Sequence, residues 1–169
     1  ADAIEDVMGY DKIALADDFL PFVDGILFDT HFAERGRFAR LVAFIARWKF
    51  DTGETITGIG IDDQTAMALG EDNIGTVYGT GCANIYEPLS DNSFAVSGKK
   101  LIGDSIMVTQ LLQGCTYNFE TGESSGLSTF TELKKEEETG NYTVLMSGSD
   151  NIALNDDMLR HFCNQTGAP

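Results

Sequence analysis

The stretch "FDTHFAERGRFAR", residues 28–40, gathers an Asp, a His, a Glu and three Arg into thirteen residues. The whole chain has only 11 Lys and Arg and two His. Further on, "GIGIDD" sets Asp62 and Asp63 side by side after a short apolar run. A His held by a carboxylate is two-thirds of a nucleophilic triad: the acid fixes the ring tautomer, and the ring takes a proton from Ser or Cys. The same pair also occurs as a plain structural hydrogen bond, and spacing alone leaves both readings open. Arginine forks hold carboxylates bidentately. The cluster Arg35, Arg37 and Arg40 therefore suits either a carboxylated substrate beside the base or ion pairs with neighbouring acids.

These groups need elements to bring them together. "FVDGILFD" (22–29) is an apolar run ending in an acid and reads as a buried strand. Residues 33–48 read as a helix, with Phe38, Leu41, Val42, Ile45 and Trp48 on one apolar face. Arg37, Arg40 and Arg47 fall largely on another face. "ITGIGID" (56–62) reads as a second buried strand. Strand, helix and strand in about forty residues predict a βαβ unit. In open α/β sheets, ligands collect at the carboxyl ends of strands. Asp29 to His31 and Asp62–Asp63 would occupy two such ends, ~5 Å apart if the strands are neighbours. On this reading Glu34, Arg35 and Arg37 fall in the first helical turn. Cations there oppose the helix dipole, so local stability does not explain them.

Downstream the texture changes. "TAMALG", "GTVYGTG", "CANIYEP", "SFAVSGKKLIG" and "SIMVTQLLQGCTYNF" predict short antiparallel strands and hairpins. Residues 121–141 are polar and read as a linker. Residues 142–169 read as strand, Gly turn and amphipathic helix, the opening of a further α/β unit or the completion of the first. A nucleophile is harder to find. "GTGCAN" (79–84) imitates an elbow around Cys82, but strand-like sequence follows where a helix should start. Ser105 and Ser149 have weaker contexts still. The scattered Cys and His make no zinc set, and the acidic pairs lack a calcium-loop pattern.

The net charge of −16 and pI of about 4.2 argue against nucleic acid or anionic membranes as partners. No apolar run approaches the ~20 residues of a membrane helix. Cys82, Cys115 and Cys163 read as buried free thiols, and the compartment stays open.

Residues 19–87, with "FLPFVDGILFDTHFAERGRFARLVAFIA", "GIGIDDQTAMAL" and "GTVYGTGCANIYE", resemble the cyanophycinase and α-aspartyl dipeptidase family of serine peptidases. That family has a strand ending Asp-Gln-His-Phe, then x-x-Arg-Gly-Arg-x-x-Arg, then a Gly-Ile-Gly-Ile-Asp-Glu-x-Thr-Ala strand. The resemblance implies a three-layer, Rossmann-like α/β sandwich similar to class I glutamine amidotransferases, with added antiparallel strands. It implies hydrolysis of aspartyl peptides: the β-Asp-Arg polymer cyanophycin, or dipeptides with N-terminal Asp. By the same resemblance His31 is the catalytic base and Asp63 its orienting acid, one methylene shorter than the family's Glu. Asp29, Arg35, Arg37 and Arg40 line or support the substrate pocket, and Thr30 stands where the family has Gln. The family's nucleophile, on a Gly-Thr-Ser-Ala-Gly-like elbow, is expected before residue 1. Residues 1–120 are thus expected to form a partial peptidase domain, inactive alone, with no cofactor or metal. Expected partners are an aspartyl peptide, a segment or chain carrying the Ser, and further copies in a homo-oligomer. A degenerate member that binds carboxylated peptides or scaffolds an assembly is the competing reading.

Overall fold

The computed structural model describes residues 2–9, 15 and 24–126. The chain divides into two units, 1–130 and 131–169, and every described residue lies in the first. The strand, turn and helix expected over 142–169, most of the linker, Ser149 and Cys163 lie outside the described residues.

The described residues form a mixed α/β fold with two helices. Strand β1 (Ile26–Thr30) runs through helix α2 (Phe38–Thr52) into β2 (Thr57–Ile61), after a one-turn α1 (Asp2–Glu5). β1 and β2 pair in parallel, with Leu27 opposite Gly58 and Thr30 opposite Ile61. This is the βαβ unit the periodicity predicts. Antiparallel strands follow: β3 (Thr65–Leu69), β4 (Ile74–Gly79), β5 (Ala83–Pro88), β6 (Phe94–Ser97), β7 (Lys100–Gly103), β8 (Ile106–Leu111), β9 (Thr116–Asn118) and β10 (Ser124–Ser125). One sheet has the order β1-β2-β5-β8, a second β10-β9-β4-β3, and β6-β7 is a separate hairpin. Among the described residues β1 is therefore an edge strand. Residues 121–126, expected to begin a linker, instead fold back so that β10 pairs with β9.

Alternation along the strands divides the first sheet into two faces. On one, Leu41 and Ile45 of α2 meet Phe32 and Tyr86. On the other, Ala83, Ile85 and Leu111 meet Val77, Cys115 and Tyr117 from the second sheet's side. The glycines of "GIGI" lie on the helix face. A side chain at Gly58 would collide with Ile45 and Leu41, and one at Gly60 would sit 2.4 Å from the Phe32 ring. Ile59 faces the other way and is buried.

Helix α2 starts at Phe38, later than the expected residue 33. His31 (φ 48) and Gly36 (φ 57) are both left-handed, and residues 31–36 close tight turns instead of a helix. Arg37 is the N-cap, Glu34 and Arg35 precede the helix, and only Arg40 stands in its first turn. The helix continues past Trp48 to Gly53, whose left-handed backbone (φ 80) ends it by donating to the Lys49 carbonyl.

Gly60→Ala forces the fully buried Phe32 to move, and overpacking of this kind costs about 1–3 kcal/mol; urea unfolding measures it. Burial, with the Glu87 carboxylate nearby, pushes the Tyr117 phenol far above its usual range, and burial also raises Tyr86. The folded chain thus keeps both protons while unfolded tyrosine releases them near pH ~10. Their contribution is complete below that pH and falls as pH rises beyond it. The unfolding midpoint should decline above about pH 10, and less steeply in Tyr117→Phe.

Candidate functional site

Because Thr30 and Ile61 are opposed in parallel register, the loops that follow them emerge side by side. The chain turns sharply at His31, and the Phe32 N–H donates to the Ile61 carbonyl (3.1 Å). His31 Nδ1 then lies 3.4 Å from Asp63 Oδ1, each side chain 47% exposed. The neighbourhood expected from strand order is present. An exposed ion pair contributes only ~0–1 kcal/mol, while a left-handed non-glycine residue costs roughly 1–2 kcal/mol. The pair therefore does not hold its own geometry.

Other carboxylates hold the frame. Asp62, nearly buried, accepts the Ala33 N–H on Oδ1 (3.1 Å) and the Cys82 N–H on Oδ2 (3.0 Å). Glu34 Oε1 accepts the Asp63 N–H (2.9 Å). Asp29 points into the helix side and is 5% exposed. It accepts from Arg37 Nη1 (3.0 Å) and from Arg40 through both Nε (3.0 Å) and Nη2. Arg37 also donates to the Thr30 carbonyl, and the Arg40 guanidinium lies 5.5 Å from the Phe44 ring centroid. Two of the three arginines are thus spent on Asp29. Arg35 is exposed, and no carboxylate among the described residues pairs with it. Thr30 is exposed at the end of β1.

The alternative nucleophiles fare poorly. Burial raises the Cys82 thiol, and the Asp62 carboxylate beside it raises it further, so the reactive thiolate is disfavoured. Strand β5 begins at the next residue, so Cys82 is on no strand-to-helix elbow. Ser105 (φ 52) joins β7 to β8 and lends its carbonyl to Leu89 and Ser93. A G-x-S-x-G spelling occurs at Gly122–Gly126, around Ser124. It carries the second strand of the β9–β10 hairpin, and Ser125 Oγ shares a hydrogen bond with Thr116 Oγ1. Among the described residues the only side chain paired with His31 is Asp63.

No group of three or more His, Cys, Asp or Glu among the described residues could hold a metal. A cavity of about 760 Å³ lies at the opposite ends of β1 and β2, lined by Ile26, Thr57, Asp24, Glu71 and Glu120. The ionisable pair sits instead at the carboxyl ends, where open α/β sheets place their chemistry. The Asp62 and Glu34 contacts are the part of this site that spacing does not expose. In sequence, Asp62 is simply one of two adjacent acids, and Glu34 looks like a helical residue.

No family model matches the chain, and no curated protein matches it.

Asp29→Ala strands two guanidiniums in a partly closed site. Breaking a fully buried pair costs ~3–5 kcal/mol; Arg40 is 36% exposed, so the loss should fall somewhat below that range. Denaturant unfolding of the variant checks it.

Proposed function

We propose that this chain supplies the histidine–acid half, and a carboxylate-recognising face, of a serine-type peptidase acting on aspartyl peptides. The observation that carries this reading is the placement of His31, with a left-handed backbone, opposite Asp63 at the ends of neighbouring parallel strands. The motif resemblance to cyanophycinases and aspartyl dipeptidases supplies the substrate class. On that resemblance, the β1–α2–β2 crossover belongs to a Rossmann-like sandwich similar to class I glutamine amidotransferases.

With Nδ1 turned to Asp63, His31 presents Nε2 to the reaction. There it takes the proton of a serine hydroxyl and returns it to the leaving amine. That serine stands on an elbow outside the described residues. Asp29 braces Arg37 and Arg40, and Arg35 is left to hold a substrate carboxylate. The chain alone is inactive on this account.

A second reading, a module that binds carboxylated peptides without cutting them, draws on one observation. Asp63 is shorter than the family's Glu, and its contact with His31 is long at 3.4 Å.

The test adds β-Asp-Arg dipeptide or cyanophycin to the chain alone and to the chain supplied with a segment bearing the Ser elbow. The expected result is no turnover alone and turnover when complemented. His31→Ala should then lower kcat about 10²–10⁴-fold. Arg35→Ala should impair carboxylated substrates most. Calorimetric binding of β-Asp-Arg with no turnover in the complemented protein would favour the binding module.

A further inference from the structure

We infer that Asp62 and Glu34 are positioning residues, forming a reciprocal clasp that holds His31 opposite Asp63. The two loops exchange carboxylates. Asp62, on the loop after β2, accepts the Ala33 N–H at 3.1 Å, two residues beyond His31. Glu34, on the loop after β1, accepts the N–H of Asp63 itself at 2.9 Å. Each acid thus fixes the backbone that carries the other half of the pair. The second oxygen of Asp62 accepts the Cys82 N–H at 3.0 Å, which ties the clasp to the start of β5. The side chains of His31 and Asp63 are both about half exposed, so solvent competes for their contact. Bonds from backbone amides to charged carboxylates are roughly twice as strong as neutral ones; those of Asp62 are part-buried, and that of Glu34 lies at the surface. They hold a loop whose His31 backbone is left-handed and whose Phe32 ring is locked against Gly60.

The importance of this clasp for catalysis rests on the peptidase reading, but its effect on His31 is measurable without any substrate. Which ring nitrogen carries the proton in neutral histidine is set by the hydrogen bonds the two nitrogens make, a carboxylate drawing the proton to the nitrogen it faces. An acid at Nδ1 selects the Nδ1–H tautomer. Ring ¹H–¹⁵N correlation spectra of the full labelled chain, at a pH where the ring is neutral, report it, with His31→Gln separating His31 from His161.

The expected wild-type state is Nδ1–H, switching to Nε2–H in Asp63→Ala. Glu34→Ala should lose the Nδ1–H preference with the backbone amide spectrum otherwise retained. Glu34→Gln should restore it, because the amide oxygen still accepts the Asp63 N–H. Asp62→Ala should behave as Glu34→Ala; if it does not fold, the Glu34 pair of variants decides. A Glu34→Ala protein that keeps the wild-type tautomer overturns the clasp, as does a wild type already in the Nε2–H form. A complemented protein with the expected tautomers but no turnover leaves the clasp standing and sinks the peptidase reading.

Discussion

The structure turns on the absence of a side chain at Gly60. Phe32 lies where a β-carbon would be, 2.4 Å from its ring atoms, and is wholly buried. A ring seated against β2 forces the chain leaving β1 to turn at once. His31 is therefore thrown outward on a left-handed backbone, and α2 begins only after Gly36 has reset the direction. Gly58 repeats the arrangement one step earlier, admitting Leu41 and Ile45 to the sheet. The helix, the turn and the exposed imidazole all descend from two missing side chains on one face of one strand.

Charge is distributed with similar economy. The protein carries a net charge of −16, yet two of its three arginines between residues 35 and 40, Arg37 and Arg40, meet a single buried carboxylate. Asp29 bonds the guanidiniums of the N-cap Arg37 and of Arg40 in the first turn, so its negative charge lies beside the helix start, where such charge is favoured. The cations that appear to oppose the helix dipole are thus coupled to an acid that complements it. Arg35 stands apart from this arrangement because Gly36 interposes a left-handed turn between it and Arg37.

Much of this was legible in the chain. Apolar runs ending in acids predicted two parallel strands, the three- and four-residue period predicted the helix between them, and strand order brought His31 to Asp63. The short glycine-broken runs predicted antiparallel strands, which is what β3 to β9 are. Periodicity places the helix start too early because it does not register the sign of φ: Ala33 to Arg35 have helical composition but lie between a left-handed His31 and a left-handed Gly36. Arg37 and Arg40 read as ligand-ready because a sequence does not show that Asp29 points toward the helix. The seam between Asp62 and Glu34 depends on side chains reaching backbone amides twenty-nine residues away, and no local pattern encodes that. The hairpin ending in Ser124–Ser125 hides in a polar stretch because its two residues alternate no apolar side chains.

His31 and Asp63 also belong to strands of unequal security. Among the described residues, β2 is flanked by β1 and β5, whereas β1 has β2 as its single neighbour, and its Phe28 is 54% exposed. Proteins open locally in units of differing free energy, and an element held along one side opens before one held along both. The imidazole travels with the outer, more easily frayed strand, while its acid stays with the inner one. Fraying of β1 parts the two groups once the Asp62 and Glu34 bonds between the loops open with it, while the core between the sheets remains intact, so amide exchange at Leu27–Asp29 together with Ala33 reports the lifetime of the pair more directly than global unfolding does.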